Sequence, residues 1–553
     1  VLYLVLLLTF LPQKSDFTVI RIIWTSDLHG QLLPTPDFAA AGMPRRRLGG
    51  IGNLINLIQR ERTKNSILLD NGDFAFGSPE GDSSQGRLIV QIFNRLGYDA
   101  TVLGARDFTD GLVNIELLAR AAGFPILADP MLNIRLNRQS PLFRPYILKN
   151  IAGVKVGIIG LSDPEISLLN RQSMVSGLPV EQPLQQVSRF LPALKAESAE
   201  VIIVLGHIPV AQGRLLTESI PDIDLIICRG EQVIENQLPK SGKAGVVVSG
   251  VYGQRLGIAD ILFHKLERRV YAVEAQIMNV SGEYELDSSL NNYRLNWYDT
   301  TVAYVEEEFF PDIPGKMQLA RFLAEGLRRE NGADIVILPT HLIENGLTAG
   351  PLTRRDLFNA VPYRNRLRII SLPESLLYQV LKPVDVDDSC FCPAVVGLDL
   401  FVIGDTTGTP RLSQIPGLRL QQRKGGYYYK VITTEEWFER SDIQDKGKPL
   451  SLNLTDFWLR FAERQKIISP VEPPKLHPAT SGLAQKTKSK LININIASVQ
   501  DLCQLPGIGP KTAERIIEYR TTYGKFNSIE EIMNVRGIGP KKYEKIKDLI
   551  TVR

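Results

Sequence analysis

Two stretches near the end of the chain constrain its fold most: LPGIGPKTAERI from Leu505 and VRGIGPKKYEKI from Val535 set Gly507 and Gly537 thirty residues apart. A repeat at that period indicates two copies of one supersecondary unit packed on each other. Ser498-x-x-Asp501 precedes the first copy and Ser528-x-x-Glu531 the second. In this pattern a hydroxyl and a carboxylate satisfy the orphan amides at the start of a helix. Each copy is therefore predicted to be a helix, a Gly-Ile-Gly hairpin and a second helix. Gly507, Gly509, Gly537 and Gly539 carry no Cβ, so the backbone can turn tightly there and come close to an anion at a helix N-terminus. Ile508 and Ile538 should point inward and pin the turns, while Lys511, Thr512, Lys541 and Lys542 follow directly in the next helix. Such a surface touches phosphates rather than base edges, so the expected partner is DNA, bound without reading sequence.

Charge agrees with this placement. The whole chain is only +4, but residues 486–553 hold 13 Lys and Arg against 7 Asp and Glu, a net +6 that leaves the other residues at about −2. With 44% apolar and 22% charged residues over 553 positions, the rest reads as several folded domains rather than as disorder.

Before the repeat, short apolar runs alternate with helical periodicity: VIRIIWTSD, IGNLINLIQRER, SILLDNGD, RLIVQIFNRLG, ATVLGARD, then VKVGIIGLSD, VIIVLGHIP and LIICRG. This order predicts an α/β domain over 17–280 with its loops gathered at strand C-termini. A second, α+β domain is expected over 281–468, from LARFLAEGLRREN through GYYYKVITT. Residues 469–490 collect Pro, Ser, Thr and Lys without periodicity and read as a flexible linker to a small all-α domain at 491–553.

The chain begins VLYLVLLLTFLPQKSD. This apolar run is short for a bilayer span and suits the core of a signal peptide, so residues 1–16 are read as an export leader and the protein as periplasmic or envelope-located; a buried first strand, and with it a cytoplasmic protein, is the alternative. No integral membrane span is expected. Cys228, Cys390, Cys392 and Cys503 form neither a disulfide framework nor a zinc pattern.

WTSDLHG puts Asp27 and His29 on one loop after a strand, DNGD puts Asp73 at the end of the next, and LGHIP places His207 at the end of a later one. Carboxylates and imidazoles converging from strand ends are what metal-assisted phosphoester hydrolysis requires.

These segments resemble the 5′-nucleotidase family of calcineurin-like metallophosphatases, and LTRRDLFNAVPYRNRLRIISLPESLLYQVL resembles its substrate-binding domain. The tail looks like the DNA-receptor family of bacterial competence proteins of the ComEA type. The resemblance implies a metallophosphatase-like sandwich, a nucleotidase C-terminal-like α+β domain, and a tandem helix-hairpin-helix domain. It also implies departures. Where the family carries Gly-Asn-His-Glu, the chain reads Gly104-Ala105-Arg106-Asp107, so a metal ligand and the catalytic His are missing. Where it carries Gly-His-x-His, Gly230 and Gln232 stand at the histidine positions. The family's Asn-Gly-Gly-x-Ile-Arg loop falls on Pro339–Glu344, so an anion-binding Arg is replaced by Glu344. His264, His341 and His477 lie outside these loops.

Asp27, His29, Asp73 and His207 are thus expected either to hold one divalent metal ion in a reduced site or to be inherited loop residues. Arg106 is expected to pair with Asp27 or Asp73, or to bind phosphate. The leading reading is an envelope DNA-binding protein with a degenerate nucleotidase-like body. Its alternatives are a working phosphoesterase acting on nucleotides or DNA ends, and an intracellular DNA-repair accessory.

Overall fold

The computed structural model describes residues 16–38, 46–129, 142–161, 181–230, 245–282 and 288–373, with parts of 376–469 and 492–552. Two compact units divide the chain at Pro474/Lys475. Residues 1–15 of the leader and 470–490 of the linker lie outside the described residues. No helix among the described residues is long and apolar enough to cross a membrane.

The larger unit opens with β1 (Phe17–Thr25), α1 (Ile51–Glu61), β2 (Ser66–Asp70), α2 (Arg87–Leu96), β3 (Ala100–Val102), α3 (Gly111–Ala121), β4 (Ile126–Leu127) and β5 (Phe143–Arg144). It continues with β6 (Tyr146–Ile151), β7 (Val154–Leu161), α4 (Pro183–Ala196), β8 (Val201–Pro209), α5 (Val210–Ser219), β9 (Leu225–Arg229), β10 (Gly245–Val247), β11 (Arg255–His264) and β12 (Arg269–Asn279). One sheet runs β12-β11-β1-β2-β3-β4-β5 and the other β10-β9-β8-β7-β6.

Period-two patterning explains why the sheets stack. Ile20, Ile22 and Trp24 of β1 join Val201, Ile203 and Leu205 of β8 in one core between the sheets. The intervening Ile23 faces α1 and α2, and Ile202 and Val204 face the α4–α5 side. The result is a four-layer α/β/β/α sandwich. Because β1, β2 and β3 are parallel, their C-terminal loops share one edge.

The remainder of this unit is built from β13 (Thr301–Val305), α6 (Ile313–Asn331), β14 (Ile335–Pro339), β15 (Gly350–Thr353), α7 (Arg354–Ala360), β16 (Arg366–Pro373), β17 (Pro393–Val396), β18 (Gln421–Arg423), β19 (Gly426–Thr434), β20 (Lys448–Asn453), α8 (Leu454–Gln465) and β21 (Ile467–Ile468). The principal sheet is β17-β14-β19-β16-β20, with β18 on β19, and β15-β13-β21 make a smaller one. Thr353 caps α7 in a full capping box with Asp356. Val336 and Leu338 pack under α6 and α8, while Ile335 and Ile337 fill a separate core on the other face of the sheet.

In the smaller unit, β22 (Ile492–Asn493) pairs with β23 (Ile550–Thr551) and ties the two ends together. Between them lie α9 (Pro510–Tyr523) and α10 (Pro540–Ile546). One core takes Leu505, Ile508, Ile516, Val535, Ile538 and Ile546, so both repeats pack on each other.

Candidate metal centre and nucleic-acid interface

The loops after β1 and β2 are stitched by backbone bonds, Asp27 N to Gly72 O at 3.0 Å and His29 N to Asp73 O at 2.8 Å. Asp27, His29 and Asp73 all hold positive φ, of 50°, 48° and 51°. Left-handed backbone is uncommon in non-glycine residues, and three instances in two touching loops mark a place where geometry is imposed from outside the local sequence.

That geometry gathers ligands. Asp27, Asp73 and His207 each offer an atom, and these atoms lie within 4.8 Å of one another, all buried. His207 Nδ1 donates to the Asn71 carbonyl at 2.6 Å, which leaves Nε2 directed at the carboxylates, 3.3 Å from Asp73 Oδ2 and 3.8 Å from Asp27 Oδ1. His29 stands beside this triad, its Nε2 3.9 Å from Asp27 Oδ1 and its Nδ1 3.1 Å from the Tyr363 hydroxyl. Both polar side-chain atoms of Asn71 are buried without a hydrogen-bond partner among the described residues. Two carboxylates and an imidazole gathered this closely fit a divalent cation, and holding one would neutralise the carboxylates.

Burial pushes the Asp27 carboxyl up despite His207 and His29. Burial acts the same way on Asp73, but the charge of His207 and its hydrogen bond, with help from His29 and Arg106, hold that carboxyl well below the usual range. Asp107 accepts the amides of Asp73, Ala75 and Gly104 at 2.9–3.0 Å, so it fixes the loop rather than facing the cluster.

Arg106 corrects one expectation. Its guanidinium pairs with Glu344, not with Asp27 or Asp73, and also donates to His341 O at 3.0 Å. Only its backbone amide reaches Asp73, at 2.7 Å from Oδ1. The guanidinium lies 4.0 Å from the centre of the Tyr363 ring. The arginine after β3 and the glutamate after β14 thus meet and neutralise each other. Although burial opposes ionisation of both, Arg106 lowers the Glu344 carboxyl and Glu344 raises the Arg106 guanidinium. Tyr252 adds a hydroxyl at 3.2 Å from Glu344 O. Tyr363, Tyr252 and Asn71 were not singled out from sequence. For Tyr363 a signal existed, its place in LTRRDLFNAVPYRNRLRIISLPESLLYQVL, the segment that resembles the substrate-binding domain.

The described residues do not bring His264 or His341 into the metal cluster, Gly230 directly follows β9, and Gln232 and His477 lie outside the described residues.

In the smaller unit the two hairpins are superimposable in their bonding. Ile508 N donates to Leu505 O and Ile538 N to Val535 O, both at 3.0 Å, and both isoleucines are buried. Gly509 O accepts Thr512 and Ala513, and Gly539 O accepts Lys542 and Tyr543, so each glycine carbonyl opens its helix. Pro510 and Pro540 follow at the first helical position, where a missing amide costs nothing. The glycines serve approach rather than strain: a Cβ at Gly509 or Gly539 would meet nothing within 4 Å, and Gly539 has an ordinary extended φ of −100°. Both are exposed, Thr512 and Lys542 are half-buried, Lys511 and Lys541 lie in the first helical turns, and Gly507 and Gly537 fall outside the described residues. The second capping box does not form. Ser528 opens a 3-10 helix over Ile529–Asn534 without a side-chain cap bond, and Ser498 and Asp501 lie outside the described residues.

The four-layer sandwich with Asp and His at strand ends, followed by the α+β portion that supplies Glu344 and Tyr363, has the fold of solved 5′-nucleotidases, and the helix-hairpin-helix motif family matches residues 487–551. Among solved structures, the 5′-nucleotidase precursor of Thermus thermophilus shares the fold with a TM-score of 0.67 at 18% identity, over 82% of this chain and 98% of that one. The trifunctional nucleotide phosphoesterase of Bacillus subtilis is 25% identical over 339 residues, 52% of this chain and 23% of its own length. Endonuclease YhcR of the same organism is 23% identical over 411 residues, 67% of this chain and 33% of its own length. The matched stretch spans less than half the length of these curated relatives.

Proposed function

We infer that the chain is a sequence-independent DNA-binding protein of the cell envelope, whose nucleotidase-like body keeps a reduced, single-cation site and little hydrolytic power. The observation that carries the reading of the body is the Arg106–Glu344 pair. It spends the cation after β3 on a carboxylate where a catalytic acid and a substrate-binding Arg are expected, and a missing general acid alone costs about two to four orders of magnitude. The helix-hairpin-helix match and the paired exposed glycines support DNA as the partner. The ComEA-type likeness of the tail and the apolar run of the leader support the envelope, where deletion of residues 1–15 should strand the protein in the cytoplasm.

A second reading, an active phosphoesterase, is favoured by the buried Asp27–Asp73–His207 cluster. Hydrolysis of AMP, a 2′,3′-cyclic nucleotide and DNA across a series of divalent metals separates the two. The inferred function predicts near-background rates, and robust turnover abolished by Asp73→Ala would overturn it.

A further inference from the structure

The part of the chain outside the tail is slightly acidic, about −2 over residues 1–485, yet one groove on the body is strongly basic. It has a volume of about 460 Å³ and is lined by Arg354, Arg460, Arg464 and Lys466, with Thr300, Thr301, Val302 and Glu463 completing the wall. Arg460 and Arg464 lie one turn apart on α8, and Lys466 follows at its end. Arg460 is exposed and has no acidic partner among the described residues, and the Lys466 ammonium reaches only the Val302 carbonyl at 3.5 Å. Arg464 pairs with Glu330 at 2.6 Å on the surface, and Arg354 with Glu463 at 2.6 Å. The Arg464–Glu330 pair is exposed, holds by about 1 kcal/mol or less and exchanges readily for a phosphate, whereas the Arg354–Glu463 pair is half-buried and belongs to the wall.

Against Arg354 of the groove wall stands an aromatic ring. Arg354 lies 4.3 Å from the centre of the Trp297 ring, and Trp297 is 57% exposed, whereas Trp24, Trp437 and Trp458 are at most 3% exposed. An exposed indole beside a row of cations has the two parts of a single-strand site, a stacking surface for a base and a track for the backbone.

We propose that this groove is a second nucleic-acid contact, in which a single strand runs along Arg460, Arg464 and Lys466 and stacks a base on Trp297. The site is formed by the body and does not depend on how the tail binds DNA.

The test uses the full chain carrying Lys511→Ala, Lys541→Ala and Lys542→Ala, titrated with a short oligothymidylate. Indole fluorescence should be quenched on binding, and Trp297→Phe should remove that quenching, because the other three tryptophans are buried. Trp297→Ala should weaken binding about tenfold. Arg460→Ala with Arg464→Ala should reduce the magnitude of the salt slope by about 1.4, two phosphates at roughly 0.7 each. Unchanged thermal midpoints would show that these surface changes act on binding. No binding in this background, no effect of the arginine pair, or equal binding of polyglutamate, which indicates a merely acidic partner, would each overturn the proposal. Loss of duplex binding by the lysine changes alone tests the tail, so the two readings fail separately.

Discussion

Arg106, in the 3-10 helix after β3, and Glu344, in the loop after β14, form a buried ion pair across 238 residues of sequence, with side chains 9% and 17% exposed. The pair joins the α/β/β/α sandwich to the following α+β portion at the edge of the metal cluster. Each charge is tolerated there because the other is present.

Removing one partner therefore strands a charge. Arg106→Met or Glu344→Leu alone should cost about 3–5 kcal/mol, whereas the double variant should cost much less than their sum, since a well-packed apolar pair often replaces a buried salt bridge neutrally. Thermal unfolding of the four proteins measures this coupling, and additive losses would show that the two side chains do not act as a pair.

For metal, elemental analysis after dialysis against a divalent cation should give no more than one ion per chain, falling to background in Asp73→Ala and in His207→Ala. Restoring the family's pattern with Ala105→Asn, Arg106→His, Gly230→His and Gln232→His should raise the content. Because Arg106→His leaves Glu344 unpaired, adding Glu344→Arg should be needed for that variant to fold well. Two ions in the wild type would contradict the reduced site.

At the hairpins, shape and stability separate. Gly539→Ser keeps a residue that caps helices well in an extended conformation with open space around its Cβ, so the thermal midpoint should not fall. DNA binding should drop about tenfold, the worth of one hydrogen bond to a charged group, because the added side chain holds a phosphate away from the amides. Undiminished binding in a fluorescence anisotropy titration would mean that the glycine is not an approach surface.

Asp224, beside β9, supplies a pH dependence away from the metal cluster. Burial pushes its carboxyl up to about 7, against the hydrogen bond it accepts from the Ile202 amide at 2.8 Å. The folded chain then binds more protons than the unfolded one between about 3.9 and 7, so this group's stabilisation is complete below that window and is lost as pH rises through it. Asp224→Asn, which can still accept the Ile202 amide, should flatten the fall in thermal midpoint between pH 5 and pH 8. An equal fall in both proteins would remove Asp224 as its source.

Much of the architecture was legible in the chain itself. Strand alternation in VIRIIWTSD and VIIVLGHIP, and the paired Gly-Ile-Gly hairpins, are local patterns, and a local pattern acts through the neighbours a residue has in sequence. Ile508 and Ile538 are buried for that reason, and Asp27 and Asp73 reach one place because loops at the ends of the neighbouring strands β1 and β2 share an edge, whereas His207 joins them from β8 only when the two sheets stack. What sequence could not decide was the partner of each charge. Arg106 has Asp73 33 residues away, within reach of its backbone amide, yet its guanidinium turns to Glu344, 238 residues away. The choice rests on which carboxylate lies opposite once the α+β portion is packed against the sandwich, and no spacing encodes that. The same holds for the glycines, whose open surroundings are set by neighbours absent in space, and for Tyr363, which meets His29 only when chain segments 334 residues apart close on one another.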